Sequence, residues 1–147
     1  MYIKSVTSFI LVFIQFGCII GILLTGEIVL ASLVYKLIIF AGILLGILAI
    51  LEMRHSKLNV SPDIKEGATI IKSGPYKWIR HPMYLAVLTV MLAVTLADPN
   101  PARWILIIVL TINLLIKMHH EERLLVNALN GYETYQKSTK KILPFIY

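Results

Sequence analysis

The side chains of this sequence that could take part in a reaction fall in two short polar blocks, residues 74–84 and 117–123. The first block supplies phenols, an imidazole and a guanidinium, and the second supplies an ammonium, two imidazoles and two carboxylates. Such groups can hold an ionic ligand by hydrogen bonds or exchange a proton near neutral pH. The blocks are separated by a mostly apolar stretch, so they can act together only if the chain folds back between them.

The intervening sequence predicts that fold-back. Residues 83–97 and 102–116 are apolar, and the Asp-Pro-Asn-Pro run at 98–101 forces a turn between them. A helix over 83–97 is only about 22 Å long. We therefore predict a short helical hairpin that brings the two polar blocks to one end.

Each block has a plainer interpretation. Arg80, His81 and Tyr84 could anchor a helix at a membrane interface, as basic and aromatic residues often do. Lys117 and Glu121 have the spacing of a surface ion pair on a helix. A metal would need more than the His and Glu residues of the second block, since no HExxH and no repeated His box accompanies them. No metal site is predicted.

Composition indicates a membrane protein. Of 147 residues, 58% are hydrophobic, and the mean hydropathy is +0.80, more than one small soluble core could bury. Residues 6–24 carry no charge and predict a first spanning helix; a signal peptide is the alternative. A second helix is predicted from near residue 28 or 33 to residue 51. The lone cysteine, Cys18, excludes an internal disulfide.

The distribution of basic residues predicts the orientation. One basic residue precedes the first helix, six lie in the 52–81 loop and five follow residue 116, which is twelve of fourteen. The positive-inside rule predicts that both termini are cytoplasmic, in the plasma (inner) membrane, with only Lys36 and Arg103 outside. The basic residues form no run mixed with stacking aromatics, so no nucleic-acid partner is predicted.

The predicted fold class is an all-α integral membrane protein with about four transmembrane helices. It forms a single domain over 1–147: a two-helix part, 1–53, then a polar loop, the hairpin and a tail, 54–147. Apolar residues at helical spacing over 124–132 predict a cytoplasmic interfacial amphipathic helix, interrupted near residues 130–131. Glycine pairs four residues apart in both amino-terminal helices favour close helix packing.

Four blocks, at 73–76, 80–84, 121–122 and 131–135, together resemble the isoprenylcysteine carboxyl methyltransferase family. They read Ser-Gly-Pro-Tyr, Arg-His-Pro-Met-Tyr, Glu-Glu and Gly-Tyr-Glu-Thr-Tyr. The related phospholipid N-methyltransferases look similar. The resemblance covers residues 60–147, and its ordered blocks on either side of one hairpin are far more specific than any single one.

The resemblance implies a membrane methyltransferase that binds S-adenosylmethionine without a Rossmann domain, and the sequence has neither GxGxxG nor GxxxxGK[ST]. The implied cofactor-binding residues are Ala68, Thr69, Ile70, Ile71, Tyr76, His81, Pro82, Met83, Tyr84, Glu121 and Glu122. Glu121 would accept hydrogen bonds from the cofactor's amino group, and Glu122 would support it. Arg80 and Tyr84 would act by positioning, and no catalytic base is assigned.

Lys117 stands where the eukaryotic prenylcysteine enzymes carry an arginine that contacts the substrate carboxylate. The resemblance thus implies a substrate-binding role, but lysine lacks the bidentate fork, which places a prenylcysteine substrate in doubt. Ala86 replaces a glycine or serine common in the family. The expected acceptor is an O, S or N nucleophile of a lipophilic small molecule or lipid from the bilayer. The alternatives are an NADPH-dependent reductase of sterol-reductase-like architecture and a non-catalytic scaffold.

Overall fold

A computed structural model describes residues 6–26, 32–54 and 69–143, and these are helical throughout apart from short connections. The amino-terminal part contributes α1, Val6–Leu24, and α2, Leu33–Arg54. A 3-10 turn, Gly74–Lys77, leads into the hairpin formed by α3, Pro82–Ala97, and α4, Pro101–Ala128. A short α5, Tyr132–Ser138, follows.

The predicted all-helical membrane fold is confirmed. By length and composition, α1, α2 and α4 could each cross a membrane, and α3 is a shorter apolar helix of 16 residues. At 1.5 Å per residue, α3 is about 24 Å long, less than the roughly 30 Å hydrocarbon core of a bilayer. As a straight helix, α3 is therefore too short to cross that core unless the bilayer thins locally.

The hairpin starts and turns where the sequence predicts. Pro82 and Pro101 occupy the first turns of α3 and α4, where a missing N–H costs nothing. The Asn100 side chain caps α4 by accepting a hydrogen bond from the Arg103 backbone N–H at 2.9 Å.

The second helix of the hairpin is longer than its apolar part. Because no proline or glycine interrupts residues 102–128, α4 continues without a break through the polar block into the amphipathic stretch. The predicted interruption falls at Gly131, whose φ of +84° suits glycine. The predicted amphipathic helix thus begins as the last turns of α4 and is not a separate element.

Small residues let α2 and α3 approach closely. A Cβ placed on Gly42 would lie 2.7 Å from Val90 Cγ2 and 3.3 Å from the Ala86 carbonyl oxygen, and one on Gly46 would lie 3.4 Å from Ala86 Cβ. The glycine pair of α2 therefore packs within the chain, against Ala86 of α3.

The first helix packs antiparallel to α4. Near the hairpin turn, Arg103 Nε donates to the Ile22 carbonyl at 3.1 Å, and Asn100 Nδ2 donates to the Thr25 carbonyl at 2.9 Å. Further along α4, Asn113 Nδ2 donates to the Leu11 carbonyl at 3.0 Å. The amino-terminal end of α1 thus lies at the same end of the bundle as the start of α3.

Candidate active site

The two polar blocks meet at the end of the bundle opposite the hairpin turn. Since α3 has 16 residues, it begins beside the part of α4 that lies about 16 residues after the turn, near Lys117. Side chains lean toward the amino terminus of their helix. At this end of the bundle, the side chains of α3 therefore point away from the hairpin turn and those of α4 point back toward it, so the two blocks meet.

Arg80 joins the first block to both α4 and the tail. Its Nε lies 2.6 Å from Glu122 Oε1, and both side chains are 8% exposed. Its Nη1 donates to the backbone carbonyls of Thr139 at 2.5 Å and Gln136 at 3.0 Å. The Arg80 backbone N–H also donates to the Lys140 carbonyl at 2.8 Å. The Arg80 guanidinium therefore bonds to the protein itself and clamps the segment before α3 to α4 and to the tail.

His81 lies between the two carboxylates of the second block. Its Nε2 is 3.3 Å from Glu122 Oε1, and its Nδ1 is 3.8 Å from Glu121 Oε2. The histidine is buried, and its backbone N–H donates to the Lys141 carbonyl at 3.0 Å. The imidazole is therefore hydrogen-bonded to Glu122 and lies within ion-pair distance of Glu121.

Tyr84 completes the arrangement around Glu121. Its hydroxyl donates to Glu121 Oε1 at 2.5 Å, and its ring stacks on His81 with centroids 5.4 Å apart and planes 9° from parallel. The two glutamates therefore differ in their partners: Glu122 is bound to Arg80 and His81, while Glu121 has one hydroxyl donor. The Glu121 carboxylate retains the greater capacity for a further donor.

Lys117 lies one helical turn deeper along α4, where it still interacts electrostatically with Glu121. It is 1% exposed, its Nζ donates to Gln15 Oε1 of α1 at 3.0 Å, and it lies 5.1 Å from the centroid of the Tyr84 ring. The predicted substrate-binding residue is thus part of the same cluster, beneath Tyr84.

Tyr76 covers the cluster from the side of α2. Its hydroxyl lies 3.7 Å from Met53 Sδ, and its backbone carbonyl accepts from the Tyr135 hydroxyl at 2.6 Å. Burial, followed by the nearby Tyr135, Glu121 and Glu52, raises the pKa of Tyr76, so its hydroxyl stays protonated at neutral pH. Burial likewise raises the pKa of Tyr135 to about 12, with Arg80 opposing the shift.

The turn that carries Tyr76 is built around a glycine. Gly74 has φ +54°, and a Cβ there would lie 2.8 Å from Glu52 Cγ. Ser73 donates to Glu52 at the end of α2. A side chain at position 74 would therefore separate this turn from α2.

The remaining predicted residues are less closely engaged. Pro82 is buried in the first turn of α3, and Met83 is half-buried against the core. Thr69 is exposed, and Ile70 and Ile71 are half-buried in the extended segment before Gly74. Ala68 lies outside the described residues, so its predicted role rests on the resemblance alone.

Several members of the cluster are absent from the sequence prediction. Gln15 could have been noticed as a lone amide in an apolar helix, where a polar residue indicates an interhelical contact. Glu52 and Met53 carry no such signal. The backbone carbonyls of Gln136 and Thr139 could not be found from side-chain types at all.

A metal centre has no support in the described ranges, where His, Cys, Asp and Glu side chains do not form a group of three placed to hold an ion. Glu122 instead bonds to Arg80 and His81, and Glu121 bonds to Tyr84.

Apolar helices of spanning length, with a buried ionic cluster at one end, define a helical integral membrane protein with a polar site at the membrane boundary. This chain belongs to the isoprenylcysteine carboxyl methyltransferase (ICMT) family, whose model matches residues 33–127. The chain is therefore a membrane methyltransferase. A search of curated proteins finds no match. The matched segment runs from α2 almost to the end of α4, and it excludes α1, α5 and the tail residues Thr139 and Lys140, whose carbonyls accept from Arg80.

Proposed function

We propose that this protein transfers a methyl group from S-adenosylmethionine to an O, S or N nucleophile of a lipophilic small molecule or lipid at the cytoplasmic face of the membrane. The observation that carries the proposal is the Tyr84–Glu121 hydrogen bond of 2.5 Å. It joins two blocks that the sequence separates by a whole helical hairpin and creates one acidic, aromatic site.

The residues of this site suit the cofactor. The Glu121 side chain is 13% exposed and has acceptor capacity beyond Tyr84, as an ammonium group of the cofactor would require. The ring of Tyr76 suits a cationic centre such as a sulfonium. What S-adenosylmethionine supplies when bound is an electrophilic methyl group.

The protein's own contribution is orientation and the exclusion of water. Methyl transfer from a sulfonium is an in-line displacement, so acceptor, methyl carbon and sulfur must be collinear, and fixed geometry supplies much of the rate. Arg80 and Glu122 fix the start of α3 against α4, which in turn fixes His81 and Tyr84. A covalent enzyme intermediate is unnecessary, and none of the named residues needs to act as a nucleophile.

The position of the site in the bundle supports a membrane acceptor. With α3 about 24 Å long, a site at its first residue is recessed toward the apolar region rather than raised into water. A water-soluble cofactor then enters from the polar mouth, and an apolar acceptor enters between helices. The excess of basic residues at this end favours a cytoplasmic site in the plasma (inner) membrane with both termini inside.

The test uses the purified full chain in detergent with methyl-labelled S-adenosylmethionine and a membrane lipid extract. We expect the label to appear in one lipophilic species, which mass spectrometry then identifies, and we expect the Glu121→Gln variant to label far less. Cofactor binding is measured separately by calorimetry. Binding of NADPH with no binding of S-adenosylmethionine would overturn the proposal in favour of a reductase, and binding of neither would favour a scaffold.

A further inference from the structure

The 3-10 turn that carries Tyr76 is held from two sides. On one side, the Tyr76 backbone carbonyl accepts from the Tyr135 hydroxyl at 2.6 Å, and this bond is buried. On the other side, the Ser73 hydroxyl donates to the Glu52 carboxylate of α2, and this bond is exposed. The Tyr76 hydroxyl also lies 3.7 Å from the sulfur of Met53, the next residue of α2. The end of α2 therefore helps to determine where the turn lies.

Glu52 occupies a position where a carboxylate is unfavourable on its own helix. The last turn of a helix carries a partial negative charge, so a basic residue such as Arg54 is favoured there and an acidic one is not. The hydroxyl donor from Ser73 offsets that cost, since hydrogen bonds to a charged acceptor are among the stronger ones. The presence of Glu52 is thus explained by a contact 21 residues further along the chain and not by α2 itself.

The Glu52 side chain also packs directly on the backbone of the turn. A Cβ placed on Gly74 would lie 2.8 Å from Glu52 Cγ and 2.9 Å from Glu52 Oε1. A side chain at position 74 would therefore displace Glu52. A hydrogen bond and a close van der Waals approach thus independently connect Glu52 to the two residues that precede Pro75 and Tyr76.

Tyr76 links this contact to the proposed cofactor site. Burial raises the pKa of its hydroxyl, and the nearby Tyr135, Glu121 and Glu52 add to the rise. The hydroxyl is therefore within electrostatic range both of the carboxylate at the end of α2 and of the carboxylate available to a ligand. A shift of the turn would move Tyr76 relative to Glu121.

We propose that Glu52 is a positioning residue that holds the turn Gly74–Lys77 where Tyr76 covers bound S-adenosylmethionine. The inference rests on the proposed function and adds a residue of α2 to it. Glu52 acts through Ser73 and Gly74 and need not touch the cofactor. Because it acts on the cover of the cofactor, its loss should weaken cofactor binding and leave the acceptor requirement unchanged.

The experiment compares the wild-type protein with Glu52→Ala, Glu52→Gln, Ser73→Ala and the double variant Glu52→Ala with Ser73→Ala. Glutamine keeps an oxygen that can accept from Ser73 and removes only the charge. Arg54→Ala is the control, since Arg54 is an exposed charge at the same end of α2. Calorimetry measures the affinity for S-adenosylmethionine. Methyl labelling at varied amounts of membrane lipid extract gives the half-saturating amount of acceptor.

Trp78 provides a direct probe of the turn. It is the residue that ends the 3-10 turn, and its side chain is 54% exposed. The chain contains one other tryptophan, Trp104, which lies near the hairpin turn at the opposite end of the bundle. In a Trp104→Phe background, the fluorescence anisotropy of Trp78 therefore measures how firmly the turn is held.

We expect Glu52→Ala and Ser73→Ala each to weaken cofactor affinity about fivefold and to lower the Trp78 anisotropy. The double variant should be no weaker than either single variant, because both remove the same hydrogen bond. Glu52→Gln should retain most of the affinity, and Arg54→Ala should match the wild type. The half-saturating amount of acceptor should be the same for every variant.

Unchanged cofactor affinity in both Glu52→Ala and Ser73→Ala would overturn the inference, as would additive losses in the double variant or a raised acceptor requirement. A Glu52→Gln variant as weak as Glu52→Ala would also overturn it, because Glu52 would then act on the cofactor by its charge. These results all presuppose a wild type that binds S-adenosylmethionine. Failure of the wild type to bind it would overturn the proposed function itself, and the inference with it.

Discussion

The Tyr84 hydroxyl and the Glu121 carboxylate are 2.5 Å apart, although 37 residues separate them in the chain. One residue lies in the first turn of α3 and the other lies on the polar extension of α4. The adjacent glutamate, Glu122, faces Arg80 and His81 instead. The two neighbouring carboxylates therefore differ: Glu122 is bonded within the protein, and Glu121 can accept a hydrogen bond from a ligand.

That difference predicts opposite effects for two conservative variants. Glu121→Gln should weaken cofactor binding by about 1 to 3 kcal/mol, because it removes a charge-assisted acceptor with little change of shape. Calorimetry measures the affinity, and the melting temperature should stay near that of the wild type. An unchanged affinity would remove Glu121 from the site.

Glu122→Gln should lower stability by about 2 kcal/mol or more, because it leaves the buried Arg80 without its ionic partner. The measurement is unfolding in detergent, with Glu121→Gln as the matched control. A variant as stable as the wild type would show that Arg80 is held by the tail carbonyls alone.

The second prediction concerns His81, which is buried, stacked on Tyr84 and 3.3 Å from Glu122. His81→Asn removes the stacked ring, so we expect it to lose cofactor affinity together with turnover. Added imidazole should not restore turnover, since the role is to shape the site. Normal cofactor binding combined with rescue by imidazole or by raised pH would identify His81 as a general base instead.

The third prediction uses two glycines in the amino-terminal helices. Gly42→Ala should destabilise the α2–α3 contact by about 1 to 3 kcal/mol, because the new methyl group meets Val90 and the Ala86 carbonyl in a close-packed interface. Gly17→Ala is the control, since nothing lies within 4 Å of a Cβ there. Thermal unfolding in detergent compares them; equal stability would mean that α2 and α3 can separate at little cost.

The fourth prediction is topological. In a Cys18→Ala background, cysteine at Pro99, which is exposed in the hairpin turn, should react with a membrane-impermeant reagent from outside intact cells. Cysteine at Lys137, exposed on α5, should react only after permeabilisation. These sites avoid Asn100, whose side chain caps α4. The reverse pattern would contradict both the orientation and the entry of the cofactor from the cytoplasm.

The fifth prediction concerns alkaline pH. The pKa of Tyr135 is about 12 in the fold, against an ordinary value of 10.0. Between those values the folded state binds more protons than the unfolded state, so the free energy of unfolding should fall as the pH rises from 10 to 12. Tyr135→Phe should make that fall shallower, and at pH 8 it should cost about 1 kcal/mol by leaving the Tyr76 carbonyl unpaired. An equally steep fall in the variant would assign the pH dependence to other groups.

The sequence by itself determined the first helix, the turn of the hairpin and the family. The first helix was predicted at its observed bounds, 6–24, because an uncharged run long enough to span a bilayer has few alternatives to a helix. Proline positions and the Asp-Pro-Asn-Pro turn determined the hairpin, since proline cannot occupy a helix interior. The site blocks could be named because their residue types and their order on either side of that hairpin resemble those of the family.

Only the tertiary structure decided how those blocks are connected. Which glutamate binds Arg80 and which binds Tyr84 depends on the rotation of α4 against α3, and adjacent residues on a helix point about 100° apart. Gln15 reaches Lys117 only because α1 packs antiparallel to α4, a pairing that no local pattern encodes. The clamp on Arg80 uses backbone carbonyls, which every residue possesses, so residue types could not reveal it.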